Sequence, residues 1–155
     1  MKKSARIALV ALLLASACGP ESLTLSQAWK QDWAGGRQET GRGTNYTLLL
    51  VAGASSQEIQ LGGLWVGQEH YDYNLRNRSG GGGQDFRPGD TLELVASRVE
   101  RRDRNSGQSQ VFTSETPMPP PREYSGAALL LYDAGGQTAA LLVPAFDERP
   151  RENRP

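Results

Sequence analysis

One cysteine, one histidine and three tryptophans stand among 155 residues, and each scarcity closes off a class of structure. A single cysteine, Cys18, cannot form an internal disulfide, so any fold must rest on burial alone. One histidine, His70, leaves too few ligands for a zinc or copper centre; calcium held by aspartate and backbone carbonyls stays open, although no EF-type loop is present. The expectation is nonetheless that neither a metal nor a cofactor is bound. The chain has no Gly-x-Ser-x-Gly motif. Its tetraglycine, Gly80 to Gly83, lacks the lysine and threonine of a phosphate-binding loop. Neither charge dominates: 17 basic residues face 17 acidic ones. That balance offers no general attraction for nucleic acid. No apolar run reaches the roughly 20 residues that a membrane-spanning helix needs.

What is present begins at the first residues. Lys2, Lys3 and Arg6 precede an almost unbroken apolar stretch, Ile7 to Ala17, and small residues lead into Cys18. This order is that of a secretory signal peptide. Leu14-Ala15-Ser16-Ala17-Cys18 resembles the lipobox of bacterial lipoproteins, with Ala15 where the family prefers leucine. The resemblance implies that Cys18 is lipidated and becomes the new N-terminus, and that the membrane is a partner through that lipid. Gly19, rather than aspartate, follows the cysteine. In the family this implies the outer membrane of a Gram-negative envelope. Plain secretion after Ala15-Ser16-Ala17 is the alternative. It would leave a lone thiol in an exported protein.

Removal of residues 1–17 takes three basic residues and leaves 14 against 17 acidic, a net charge near −3. The remaining 138 residues suit one domain. Residues 18–23 read as a lipidated tether, 24–147 as the domain, and 148–155 as a charged, frayed tail. Trp29 and Trp33 are spaced as on a helix, and residues 34–43 read as a loop. Tyr46 to Ala52 is a continuous apolar β-run, expected to be central and covered on both faces. Tyr71, Tyr73 and Leu75 alternate with His70, Asp72, Asn74 and Arg76, as on a half-buried strand. Arg87-Pro88-Gly89-Asp90 is a tight turn into a further strand. Residues 100–110 read as a solvated hairpin tip. Two apolar runs, 127–132 and 138–143, flank Gly135-Gly136 as a β-hairpin that Pro144 ends. Seven to nine short strands without helical period point to an all-β antiparallel β-sandwich, immunoglobulin-like in the loose sense, or to a small closed barrel.

Gly43 to Thr47, Leu64-Trp65-Val66, Arg87 to Thr91 and Tyr124 to Ala127 also resemble, in order, segments of small envelope lipoproteins of Bacteroidetes-type bacteria. That diffuse likeness covers residues 41–143 and implies no activity.

Few side chains suggest chemistry. His70 on a polar strand face lacks a nucleophile to serve. Trp65, Tyr71 and Tyr73 are the aromatics that could contact a ligand, provided they are exposed. Asp90-Thr91-Leu92 resembles the O-glycan acceptor sequence of Bacteroidetes, which makes Thr91 a candidate acceptor. Arg98, Arg101, Arg102 and Arg104, interleaved with Glu100 and Asp103, read as a solvated loop. The expectation is a lipid-anchored, non-enzymatic interaction module of the cell envelope, with an unspecified envelope protein or glycan as partner. A glycan-binding sandwich, or an enzyme with a site invisible in the sequence, are the alternatives.

Overall fold

The computed structural model describes residues 22–35, 41–80, 84–102, 109–112 and 118–154. Among these residues the chain is all β. Ten strands follow in order: β1 (Leu23–Gly35), β2 (Arg42–Ala52), β3 (Ile59–Val66), β4 (Glu69–Tyr71), β5 (Tyr73–Asn77), β6 (Thr91–Arg102), β7 (Ser109–Phe112), β8 (Ala128–Ala134), β9 (Gln137–Val143) and β10 (Asp147–Arg154). They form two sheets. The larger has the order β10-β1-β2-β6-β5, with β7 also pairing β6; the smaller is β4-β3-β8-β9. Neither closes on itself, so the architecture is a sandwich and not a barrel.

The core follows from period-two alternation. Leu48 and Leu50 of β2 pair across to Leu94 and Leu92 of β6, Ala52 pairs with Leu23 of β1, and all six side chains are buried. Ile59, Leu64, Ala128, Leu130, Tyr132, Leu141 and Val143 meet them from the smaller sheet. Phe86 fills one end of this core and Tyr71 lies near the other. The β8–β9 hairpin turns through Gly135 and Gly136, whose φ angles are 60° and 81°. Two successive positive φ values give the twist that a two-residue hairpin needs, and glycine adopts them without a Cβ penalty.

Four connections pass from one sheet to the other, and the two shortest lie at Asp72 and at residues 144–146. The stretch read as a single strand around Tyr71 and Tyr73 is broken at Asp72: β4 pairs with β3 in the smaller sheet, and β5 pairs with β6 in the larger. Tyr71, Tyr73 and Leu75 still face the core, as the alternation predicts. On the opposite side β9 leaves the smaller sheet at Val143, and residues 144–146 carry the chain to β10 in the larger sheet. Phe146 packs on Tyr46 there, with ring centroids 5.3 Å apart.

Three expectations need correction. The tail 148–155 is not frayed over the described residues, because β10 pairs in parallel with β1 from Trp29↔Asp147 to Gly35↔Arg154. Backbone hydrogen bonds make that strand, and its charged side chains protect an edge that would otherwise invite aggregation. Trp29 and Trp33 lie on β1, where a spacing of four also puts two side chains on one face. Finally, β2 is central but not covered on both faces, since Val51 on its outer face is 36% exposed.

The sheets differ in length. β1, β2 and β6 have 13, 11 and 12 residues, against 8, 7 and 7 in β3, β8 and β9. Four or five extra residues extend a strand by about 15 Å. Beyond the row of Lys30, Tyr46 and Ala96, the inner-face positions of the larger sheet change from hydrocarbon to charge: Asp32, Thr44 and Arg98 in one row, then Arg42 and Glu100 in the next. This end is the overhang. The opposite end, where Ser22, the 53–58 loop and residues 78–80 and 84–90 meet, is the loop end.

Candidate functional site

Each end of the sandwich carries a cleft, and the two are built differently. The loop-end cleft, about 700 Å³, is lined by Ser55, Ser56, Gln57, Asn77, Ser79, Asp85, Arg87 and Asp90 around the buried ring of Phe86. Its polar groups are largely engaged with one another. The Asp90 carboxylate accepts from the Arg87 N–H at 2.9 Å and from Asn77 Nδ2 at 2.9 Å. These bonds, the backbone one foremost, hold its pKa below the usual carboxylate value. Asn77 also donates to the Asp85 carbonyl and accepts from the Ser79 N–H, while Ser79 Oγ accepts from the Thr91 N–H. The Glu58 carboxylate is likewise lowered, by the Ser55 hydroxyl and then by the Ser55 N–H. The Arg87-Pro88-Gly89-Asp90 turn is closed by Asp90 N–H to Arg87 O at 3.1 Å.

The overhang cleft, about 340 Å³, is lined by Asp32 and Trp33 of β1, Arg42, Gly43 and Thr44 of β2, Arg98 and Glu100 of β6, and Arg151 of β10. Cross-strand register places these side chains. Arg42 pairs with Glu100 through two contacts, Nε to Oε2 at 2.8 Å and Nη2 to Oε1 at 3.1 Å. The hydrogen bond, and then the charge, raise the Arg42 pKa. The Thr44 hydroxyl donates to Asp32 at 2.6 Å. Just outside, Lys30 pairs with Glu148 at 2.8 Å, a contact that raises the Lys30 pKa. Trp33 is 6% exposed and lies across Gly43. A Cβ at Gly43 would come within 2.9 Å of the indole and would collide with the Arg98 carbonyl oxygen.

The residues singled out in the sequence fall elsewhere. Cys18 lies outside the described residues. Trp65 and Tyr71 are 5% and 2% exposed, so neither presents a ring face for stacking. Trp65 lies against Gly63 on the outer face of the smaller sheet. Its Nε1 donates to the Met118 carbonyl at 3.0 Å, and its ring meets His70 at 5.0 Å. Tyr71 donates to Glu69 and packs edge-on against Tyr46; burial pushes its pKa well up. Tyr73 is half-buried and donates to the Gly62 carbonyl at 2.8 Å, and burial raises its pKa too. Thr91 opens β6 at the loop end, where its N–H and C=O are both bonded. Among the described residues, no group of three or more histidine, cysteine, aspartate or glutamate side chains could hold a metal ion.

No family model, no curated protein and no solved structure matches the chain. The overhang residues therefore stand on geometry alone. In the sequence Arg98 and Glu100 read as part of a loop; both lie on β6, and Arg101 and Arg102 continue the same strand. The alternation carries a signal that could have found them. Thr44 and Arg42 share the parity of Leu48, and Arg98 and Glu100 share that of Leu94. Continuing the period of two past the last apolar residue of each strand aligns all four.

Proposed function

We propose that the protein is a lipid-anchored, non-enzymatic binding module of the bacterial cell envelope, held by a lipid on Cys18. The observation that carries this reading is the lipobox-like run Leu14 to Cys18, which follows a basic start and an apolar stretch. Leu23, the first residue of β1, is 4% exposed and packed into the core five positions after that cysteine. Five extended residues reach at most about 18 Å. A lipid on Cys18 would keep the loop end close to the bilayer and turn the overhang away from it. The Ser22 carbonyl accepts from the Gly53 N–H at 2.9 Å, which ties the start of the domain to the loop end. Non-enzymatic action is supported by the placement of His70, the only histidine, against Trp65 on the outer face of the smaller sheet.

The test is Cys18→Ser in the native host, with membrane fractionation and metabolic labelling by a radioactive or alkyne-bearing fatty acid. Label should vanish and the protein should leave the membrane fraction, since a single weak contact cannot substitute for an acyl anchor. Membrane association and labelling equal to the native chain would refute the anchor.

A further inference from the structure

We propose that the overhang cleft is a binding site for an acidic sugar, with Arg98 and Arg151 holding the ligand carboxylate. The cleft belongs to the domain surface and does not depend on the anchor.

Three features support it. The first is the pairing of charge. Lys30 has Glu148 and Arg42 has Glu100, but among the described residues neither Arg98 nor Arg151 has a carboxylate within ion-pair distance. Both line the same cleft. A guanidinium presents a planar fork of donors that matches a carboxylate.

The second is a β-bulge. The β1–β10 register runs Gln31↔Arg149 and then Trp33↔Glu152, so Pro150 and Arg151 together stand opposite Asp32. A bulge re-aims side chains, and proline is tolerated there because it has no N–H to contribute. The bulge is held by Gln31 Nε2 donating to the Pro150 carbonyl at 2.9 Å. Arg151 enters the cleft lining while Arg149, two residues earlier, lies 3.6 Å from the Trp29 ring centroid.

The third is the remaining lining. Asp32 and Glu100 also line the cleft, where Thr44 fixes Asp32 and Arg42 holds Glu100. Carboxylate acceptors suit ligand hydroxyl groups. Apolar side pockets, which a peptide would fill, are missing from the lining, since Trp33 is buried against Gly43. The volume, about 340 Å³, lies at the small end of ligand pockets and fits a ring or two. One carboxylate surrounded by hydroxyls is the chemistry of a uronic acid.

The experiment is isothermal titration calorimetry on the full chain in detergent, with trigalacturonate, the neutral maltotriose and triglutamate as separate titrants. Trigalacturonate should bind, and maltotriose and triglutamate should bind at least about tenfold more weakly. Arg98→Ala and Arg151→Ala should each weaken trigalacturonate severalfold, and the double variant should abolish it. Both side chains are exposed, so the variants should keep the native thermal midpoint, which separates lost binding from lost folding. Absence of trigalacturonate binding at about 10 mM would overturn the site. Equal binding of maltotriose would overturn the role of the arginines. Equal or tighter binding of triglutamate would replace the sugar with an acidic peptide. Unchanged affinity in the double variant would place the ligand elsewhere.

Discussion

The two ends of this sandwich hold comparable polar material and use it in opposite ways. At the loop end, Asp90, Asn77, Ser79 and Glu58 bond to backbone groups of nearby turns, so their polarity shapes the chain path. At the overhang, Asp32, Arg42, Thr44, Arg98 and Glu100 stand on straight strands whose backbone groups already pair with each other. Their side chains are not needed to build the strands. The difference teaches where to look for function in a β-sandwich: a polar residue bonded to backbone is serving architecture, whereas a polar row on a regular strand is available to a ligand.

The largest effect should come from the core that both ends share. Leu130 is fully buried between the sheets, and Leu130→Ala should cost about 2–5 kcal/mol in urea denaturation. Both ends should melt together. Separate transitions would show that the ends are independent units. Next comes Gly43→Val at the overhang. The added side chain meets the Trp33 indole and the Arg98 carbonyl, so a loss of about 1–3 kcal/mol is expected. A neutral result would mean that the close approach of β1, β2 and β6 is not held in solution. Asn77→Ala strikes the loop end. It removes two donated bonds and one accepted bond, and should cost about 1–2 kcal/mol while leaving the indole signal of Trp33 unchanged.

The smallest effects are those of pH, and they should separate the ends by direction. Asp90 and Glu58 have depressed pKa values, so their contribution is present above the unfolded carboxylate value, about 4, and is lost as pH falls through the folded values. Lys30 has a raised pKa, as do the buried Tyr71 and the half-buried Tyr73. Their contribution is present below the unfolded values, about 10, and is lost as pH rises through the folded ones. Amide shifts of Ser55 and Arg87 should therefore move first in acid, and those of Lys30 and Glu148 first in base. The reverse order would show that the network at each end is misassigned.

Much of the fold was legible because it depends on local chemistry. The β8–β9 hairpin was written in two apolar runs and Gly135-Gly136, and the turn into β6 in Arg87-Pro88-Gly89-Asp90. What escaped depends on partners distant in sequence. β10 carries charges and Pro150, the composition of a solvated tail, yet it becomes a strand because β1 offers it a row of backbone partners. Asp72 gives no sign that the chain changes sheets there. Trp65 is covered through a contact with Met118, 53 residues away. The overhang could not be seen from any one strand, since it exists only as the difference between the lengths of strands in two sheets.

The parallel pairing of β1 with β10 has a mechanical consequence. β1 starts at the loop end and β10 finishes at the overhang, so tension applied between Leu23 and Arg154 runs along the strands. The β1–β10 bonds then lie across the pull and are loaded in shear, all at once, instead of being peeled open one by one. A domain tethered near Leu23 and gripped at its far end would resist stretching through this one seam, and its lifetime under load would be set by the unfolding rate.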